Sequence, residues 1–417
     1  MWPVRRNPLD PTGHRAPTRE PTRWPAQRAA AGGLALGAAS GANILNIGAV
    51  PDVLAGRYGV SLATVGLFTT VLLVMHTAAQ IPGGRAIDRF GARKVGLLAL
   101  LIAALCNVGA AVAPAPALLL GARAVLGVGT GVAFIAGLDY VRAVGGSALV
   151  QGLFGGFSMG GGALALLVVP QLEPPLGWRA PFVFGLASAV LAGVLLALGP
   201  RDAARRAGAG AGQTTALSLV TDRRLYRLAI LHTATFGLGL LIGNWVVALL
   251  VRLDHSPSGA GAIGALTVGL TMVSRPLGGW LVKNRPDWTR RAVIASVLAG
   301  ALGCAGLAGA ESTPVAILCA TAVGIGAGIS FAPVFTGAVR LKPDAPGAAI
   351  GVVNMWGNLA VLVATPLLGL AFSLPGEGRI GFLVIAALAA AALLTLPRPQ
   401  DLGLAPADGR ALESSRP

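Results

Sequence analysis

Apolar positions along this chain come in long blocks, not in the short alternations of a sheet. Twelve stretches read as apolar helices, near residues 29–50, 61–83, 94–114, 116–138, 148–170, 180–199, 227–251, 259–282, 291–310, 314–336, 347–372 and 379–397. Each is close to the ~20 residues a helix needs to cross a hydrocarbon core about 30 Å thick. A membrane β-barrel would show shorter segments of alternating polarity. Polar residues are confined to the gaps. The richest gap, QIPGGRAIDRFGARKV at 80–95, sets Arg85, Asp88, Arg89, Arg93 and Lys94 between two strongly apolar blocks.

Composition agrees with the pattern. Of 417 residues, 54% are hydrophobic and 12% charged, and the mean hydropathy is +0.73. A soluble domain carries about 25% charged residues, so the expected fold class is an all-α membrane protein. The 60 glycines fit helix packing in lipid, where small residues let backbones approach. Residues 1–28 are basic and proline-rich without an apolar core, and are expected to form a disordered cytoplasmic tail, not a signal peptide. Cys106, Cys304 and Cys319 all fall inside predicted helices, which argues against disulfides.

The net charge of +16 changes the picture only through its distribution. With the N-terminus inside, Arg5, Arg6, Arg142, Arg201, Arg205, Arg206, Arg223, Arg224, Arg227, Lys283, Arg290, Arg291, Arg340 and Lys342 share one side with the 80–95 cluster. The other side holds Arg57, Arg179, Arg252 and Arg379. This imbalance places both termini in the cytoplasm of a multi-pass cell-membrane protein. The charge thus reads as topology, and nucleic acid is not an expected partner.

An internal repeat organises the spans. VLGVGTGVAF at 125–134 returns as AVGIGAGISF at 322–331, a shift of 197 positions. Gly83 and Gly84 in IPGGRAIDR return as Gly278 and Gly279 in RPLGGWLVKNR, a shift of 195. The expected domains are a tail at 1–28, a six-helix bundle at 29–200, a cytoplasmic linker at 201–226, a second bundle at 227–397 and a tail at 398–417. Parallel duplicated halves place a substrate site at mid-membrane between them.

Gly84-x-x-x-Asp88-Arg89-Phe90-Gly91-x-Arg93-Lys94 resembles the signature loop between helices two and three of the major facilitator superfamily. Arg123-x-x-x-Gly127-x-Gly129 resembles that superfamily's helix-four motif, and Gly177-Trp178-Arg179 resembles a common start of its helix six. Two departures are visible: Ala92 stands where the fuller pattern has a basic residue, and Lys283 takes the aspartate's place in the second copy. The resemblance implies twelve helices in two pseudo-symmetric bundles and secondary transport by rocker-switch alternating access. It also implies a gate at Gly84, Asp88, Arg89, Gly91 and Arg93. Asp88 is suited to the positive N-terminal end of a helix in the other half. Arg89 and Arg93 suit acids or helix C-termini, with Asp139 and Arg142 as expected partners.

The cargo is read from buried charge, because an ionisable side chain inside a bilayer is costly and marks function. All 16 acidic residues fall in loops, tails or helix ends. The buried basic groups are Arg123, Arg275, His76 and His232. Arg275 resembles in position the anion-binding arginine of nitrate/nitrite porters and of monocarboxylate and oxalate/formate transporters. A guanidinium grips such oxygens as a planar fork. The nitrate porters carry a second arginine at the symmetric place in helix two, which here is Gln80. The expected cargo is therefore a small anion, nitrate-, nitrite- or cyanate-like or a small carboxylate, with a proton or counter-anion as coupling partner.

Asn43 and Asn46, three apart on one helix face, are further expected lining residues, as are Asn244, Trp245, Asn354, Trp356 and Asn358. Three alternatives stand beside this reading: packing roles for the arginines and histidines, a drug or metabolite efflux antiporter, and a non-transporting sensor of transporter fold. No metal-spaced cluster, phosphate loop or nucleophile arrangement occurs, so neither enzyme activity nor a metal or cofactor is expected. The chain is expected to act as a monomer in the lipid bilayer.

Overall fold

The computed structural model describes residues 30–201, 216–376 and 378–404, leaving aside the side chains of residues 216, 217, 238 and 244. The tail expected at 1–28, most of the linker at 202–215, the chain after 404 and the side chain of Asn244 therefore lie outside the described residues. Every regular element among them is helical.

The first half holds α1 (Ala31–Leu45, extended by a 3-10 turn Asn46–Ala49), α2 (Leu62–Ala78 and Gln80–Phe90), α3 (Ala92–Ala111), α4 (Pro116–Ala143), α5 (Ala148–Leu176) and α6 (Ala180–Leu198). The second holds α7 (Arg223–His232 and Leu238–Arg252), α8 (Pro257–Asn284), α9 (Pro286–Leu307), α10 (Thr313–Gly328 and Phe331–Leu341), α11 (Pro346–Ala371) and α12 (Arg379–Ala391). Local chemistry sets the boundaries. Proline occupies the first turn of α4, α6, α8, α9, α10 and α11, where its missing N–H costs nothing. Ser61 and Ser256 cap α2 and α8 by accepting from Thr64 N and Gly259 N. Gly91 separates α2 from α3 at φ 89°, a backbone state that a Cβ would strain.

Eight continuous stretches are long and apolar enough to cross a bilayer, and two bent pairs, at 64° and 48°, bring the number to ten. One of the eight, Ala148–Leu198, is two crossings. Phe154 and Ser158 lie against Gly37 and Gly41 of α1, in parallel order, whereas Leu196 and Gly185 lie against Gly32 and Asn43, in antiparallel order. The chain therefore reverses at Gly177–Arg179. The shorter Arg379–Thr395 completes twelve. Several helices outrun their apolar cores: α2 continues to Phe90, α4 to Ala143 and α8 to Asn284, and α7 already begins at Arg223. Their polar ends remain helical past the apolar run, so hydropathy alone placed those ends short. The described part of the segment expected as a linker is helical too, at Ala216–Val220 and from Arg223.

With twelve crossings, the described chain begins and ends on one face, called here the terminal face; the other is the distal face. The repeat reappears as geometry. A Cβ on Gly131 would meet the carbonyl of His76, and one on Gly328 that of Thr271; Gly127 and Gly324 meet Leu72 and Thr267 in the same way. Both pairs of partners are offset by 195 positions, so α4 packs on α2 as α10 packs on α8. The halves touch along α2–α11 and α5–α8. At the first contact Gly84 faces Gly347, where a side chain would collide with the carbonyl. At the second, Gly279 faces Ala148. On the terminal face, Leu402 and Leu404 are buried in a core cluster with Phe335 and Ala338, so residues 399–404 pack against α10 and do not hang free.

Candidate functional site

A cavity of about 620 Å³ lies between the halves, on the distal side of these contacts. Helices α1, α2, α4, α5, α7, α8 and α11 contribute to its wall. Ile44, Leu45, Leu73, Met159, Leu240, Val361 and Leu362 make much of it aliphatic. Thr69, Thr70, His76, Ser158, Trp245, Arg275, Asn354, Asn358 and Thr365 supply polar groups. Among the lining residues there is no carboxylate, and Arg275 is the one permanent charge.

Arg275 is 1% exposed. Its Nη1 donates to the carbonyl of Gly155 at 2.8 Å, across the boundary between halves. Its Nε and Nη2 have no protein partner. The guanidinium lies over the Phe331 ring at 4.6 Å and beside that of Phe236 at 5.7 Å. Two local distortions deliver these rings. Phe236 sits in a π-turn, Thr233–Gly237, within α7, and Phe331 follows the break in α10. The two breaks are joined by Thr235 Oγ1 and Ser330 Oγ at 2.5 Å. Such bulges recur at functional sites, but neither distortion has a hydropathy signature, and both phenylalanines are missing from the sequence-based expectations.

His76 lines the same cavity from α2. Its Nδ1 is 3.0 Å from Thr130 Oγ1, whose own proton goes to Gly127 O at 3.1 Å. With the hydroxyl proton on Gly127 O, the Thr130 oxygen is free to accept from His76, an arrangement that puts the imidazole proton on Nδ1 and leaves Nε2 as the basic nitrogen. Gln80, one turn on, is fully buried, donates to His76 O and has an unpartnered Oε1, yet it is not among the lining residues. His232 packs between rings, stacked on Phe236 at 5.0 Å and edge-on to Phe335 at 4.9 Å.

The other expected residues separate into groups. Trp245, Asn354 and Asn358 reach the cavity, with Trp245 Nε1 and Asn358 Nδ2 unpartnered. Trp356 faces the opposite side of α11. Arg123, Asn43 and Asn46 do not line the cavity. Arg123 donates to the carbonyls of Phe68, Asn43 and Ile44 and to Asn46 Oδ1. Asn46 donates to Pro181 O, and Asn107 to Asn43 Oδ1 at 2.7 Å. Asn43 and Asn46 do share a face, but it turns into the first bundle, where their amides and Arg123 satisfy one another and tie α1 to α2, α3, α4 and α6.

The 80–95 cluster lies on the terminal face. Asp88 accepts from the N–H groups of Gly347 (2.8 Å) and Ala348 (3.0 Å), the N-terminus of α11. Gly84 is the contact beneath it. Arg93 donates to the carbonyls of Leu196 (3.1 Å) and Ala197 at the end of α6. Arg89 is exposed over the Phe90 ring. Asp139 and Arg142 pair with each other at 2.7 Å along α4, and not with Arg89 or Arg93.

The family model of the Major Facilitator Superfamily matches residues 32–365. A curated relative from Cupriavidus necator, the probable sulfoacetate transporter SauU, is 30% identical over 142 residues, 33% of this chain and 33% of that protein. The match thus spans about a third of that relative's length. Among solved structures, the proton:xylose symporter XylE is similar with a TM-score of 0.72 at 15% identity, over 88% of this chain and 94% of that one. The E. coli fucose:proton symporter FucP is similar with a TM-score of 0.68 at 17% identity, over 88% of this chain and 97% of that one. At these identities the likeness to solved structures is one of fold.

Proposed function

The chain belongs to the Major Facilitator Superfamily, and from that premise we propose that it is a secondary transporter of a small organic anion, held in the central cavity by Arg275. The observation that carries this reading is the pair of unpartnered donors on Arg275 in a cavity whose lining residues include no carboxylate. A buried donor without a partner costs free energy, and a carboxylate or sulfonate offers two oxygens at the spacing of the fork. The aliphatic wall favours an anion with a hydrocarbon body over a bare inorganic ion. The relative named as a probable sulfoacetate transporter supports the same chemical class.

The positive-inside distribution supports a cytoplasmic terminal face, which makes this an outward-facing state, closed inside by the Gly84–Gly347 and Gly279–Ala148 contacts. Opening the inner side then requires Asp88 to leave the N-terminus of α11, so gating rests on that cap. The place of the His76 imidazole in the cavity wall supports a proton as the coupling ion, because a proton taken up there with the anion adds a second positive charge to the wall that receives it.

A second reading, efflux of an amphipathic drug, draws on the aliphatic lining. One experiment separates the two. Purified protein is screened by thermal shift against sulfoacetate, lactate, formate, oxalate, nitrate and cationic dyes, since a ligand that binds the folded form raises its melting point. The expected result is stabilisation by small carboxylates or sulfonates, with affinity about 10- to 100-fold weaker in Arg275→Lys, the loss of charge-assisted hydrogen bonds that a point ammonium cannot replace. Stabilisation by dyes alone, or equal anion affinity in the variant, would overturn it.

A further inference from the structure

A second cavity, of about 390 Å³, opens on the outside of the second bundle between α7, α11 and α12. Its wall includes Tyr226, Ile230, Gly237, Trp356, Ala364 and Leu388, and Ile230 and Leu388 are exposed at its rim. Small residues on the facing helices hold it open as a groove. Residues 226–241 of α7 border it, which at 1.5 Å per residue is about 22 Å. The groove therefore starts at the terminal face and runs the depth of one leaflet, about 15 Å, and a little further.

Its open end is positively charged. Arg223, Arg224 and Arg227 are exposed there, and none makes an ion pair among the described residues. Arg223 precedes Tyr226 by three residues and Arg227 precedes Ile230 by three, so both share the groove's face of α7. The buried Trp356 Nε1 is unpartnered, and the Tyr226 ring leans on Trp356 at 5.6 Å. An apolar slot of leaflet depth, mouthed by arginines, matches an amphiphile with one acyl chain in the slot and an anionic head on the guanidinium groups.

We propose that the α7–α11–α12 groove is a binding site for an anionic phospholipid of the leaflet at the terminal face. The site is joined to the central cavity through shared walls. Gly237 and Leu241 face the groove while Phe236 and Leu240 face the cavity; Ala360 and Ala364 face the groove while Val361 and Thr365 face the cavity. A seated chain therefore supports the back of the π-turn that holds Phe236 against Arg275.

The test uses the full chain in vesicles and reads lipid contact at Trp356, so it does not depend on what is transported. Phosphatidylcholine vesicles receive small fractions of phosphatidylglycerol or phosphatidylcholine with brominated acyl chains. Fluorescence quenching of the protein is compared with that of Trp356→Phe, which isolates one of seven tryptophans. The Trp356 component should be half-quenched at a several-fold lower fraction of the brominated anionic lipid. Arg223→Gln and Arg227→Gln, both at exposed positions, should each cut that preference about fivefold, and excess inorganic phosphate should leave it unchanged. Equal quenching by the two lipids means ordinary boundary lipid and overturns the proposal. So does displacement by phosphate, which means a phosphate site, and so does absence of quenching, which means the groove is covered by protein.

Discussion

Arg123 and Arg275 show how little a residue's type and burial say alone. Both are arginines inside helices, and neither is more than 1% exposed. The difference is in their partners: Arg123 has three backbone carbonyls and an amide, while Arg275 keeps two nitrogens unmet beside a cavity. Removing them should have opposite signatures. Arg123→Met leaves buried acceptors without donors at about 1–3 kcal/mol each, so we expect a clear loss of thermal stability in detergent with anion affinity unchanged in the surviving fold. A stable Arg123→Met variant that has lost its ligand would move Arg123 into the site. The sequence picked out Arg275, His76, Trp245, Asn354 and Asn358 because polar groups in an apolar span are conspicuous. It could not tell which way Asn43 and Asn46 turn, since an i, i+3 pair shares a face without saying which neighbour that face meets.

At the scale of elements, the informative features are helix ends and breaks. The π-turn of α7 and the break of α10 set the aromatic clasp on Arg275, and nothing in the local hydropathy marks either. At the start of α7, Asp222 caps the helix through Arg224 N (2.8 Å) and pairs with Lys342 at the end of α10, also at 2.8 Å. Burial alone would raise its carboxyl, but the Lys342 ammonium and the N–H groups of Arg224 and Leu225 outweigh burial and hold it below the usual carboxylate range. A carboxyl depressed in the folded state stabilises above its unfolded pKa, about 3.9, and this contribution is lost as pH falls through the lower folded value. Asp222→Asn keeps a capping oxygen and removes the charge. Its melting temperature should lie below that of the parent at pH 7, and the gap should close as the pH drops below about 4. A gap independent of pH would show that the charge is not what stabilises.

For the whole molecule, the proposed alternation of access makes the balance between two states the quantity to test. In this state two half-to-half contacts close the terminal face, yet only one is capped by a carboxylate, because Lys283 stands at the position equivalent to Asp88. The closed side is thus asymmetric. Asp88→Asn leaves one good acceptor where there were two charged oxygens, a change of about 1 kcal/mol at a helix N-terminus, or roughly a fivefold shift in the state ratio. Spin labels on the terminal ends of α2 and α11 should report a larger share of the separated distance in the variant. An unchanged distribution would show that the cap does not bias the gate.

The class of solvent, the number of crossings, the duplication and the charged loop were all legible in the order of residues, because each is written in composition and period. Long apolar blocks have one stable fate in lipid, and a glycine pattern that returns once, 197 positions further on, needs no neighbour to be seen. It took the packed helices to show which buried arginine is satisfied and which is open, which face of α11 meets the cavity and which the groove, and which acid reaches which helix end. Those outcomes depend on the rotation of each helix about its axis. In a span apolar all round, that rotation is fixed by packing against neighbours and leaves little trace in the order of residues.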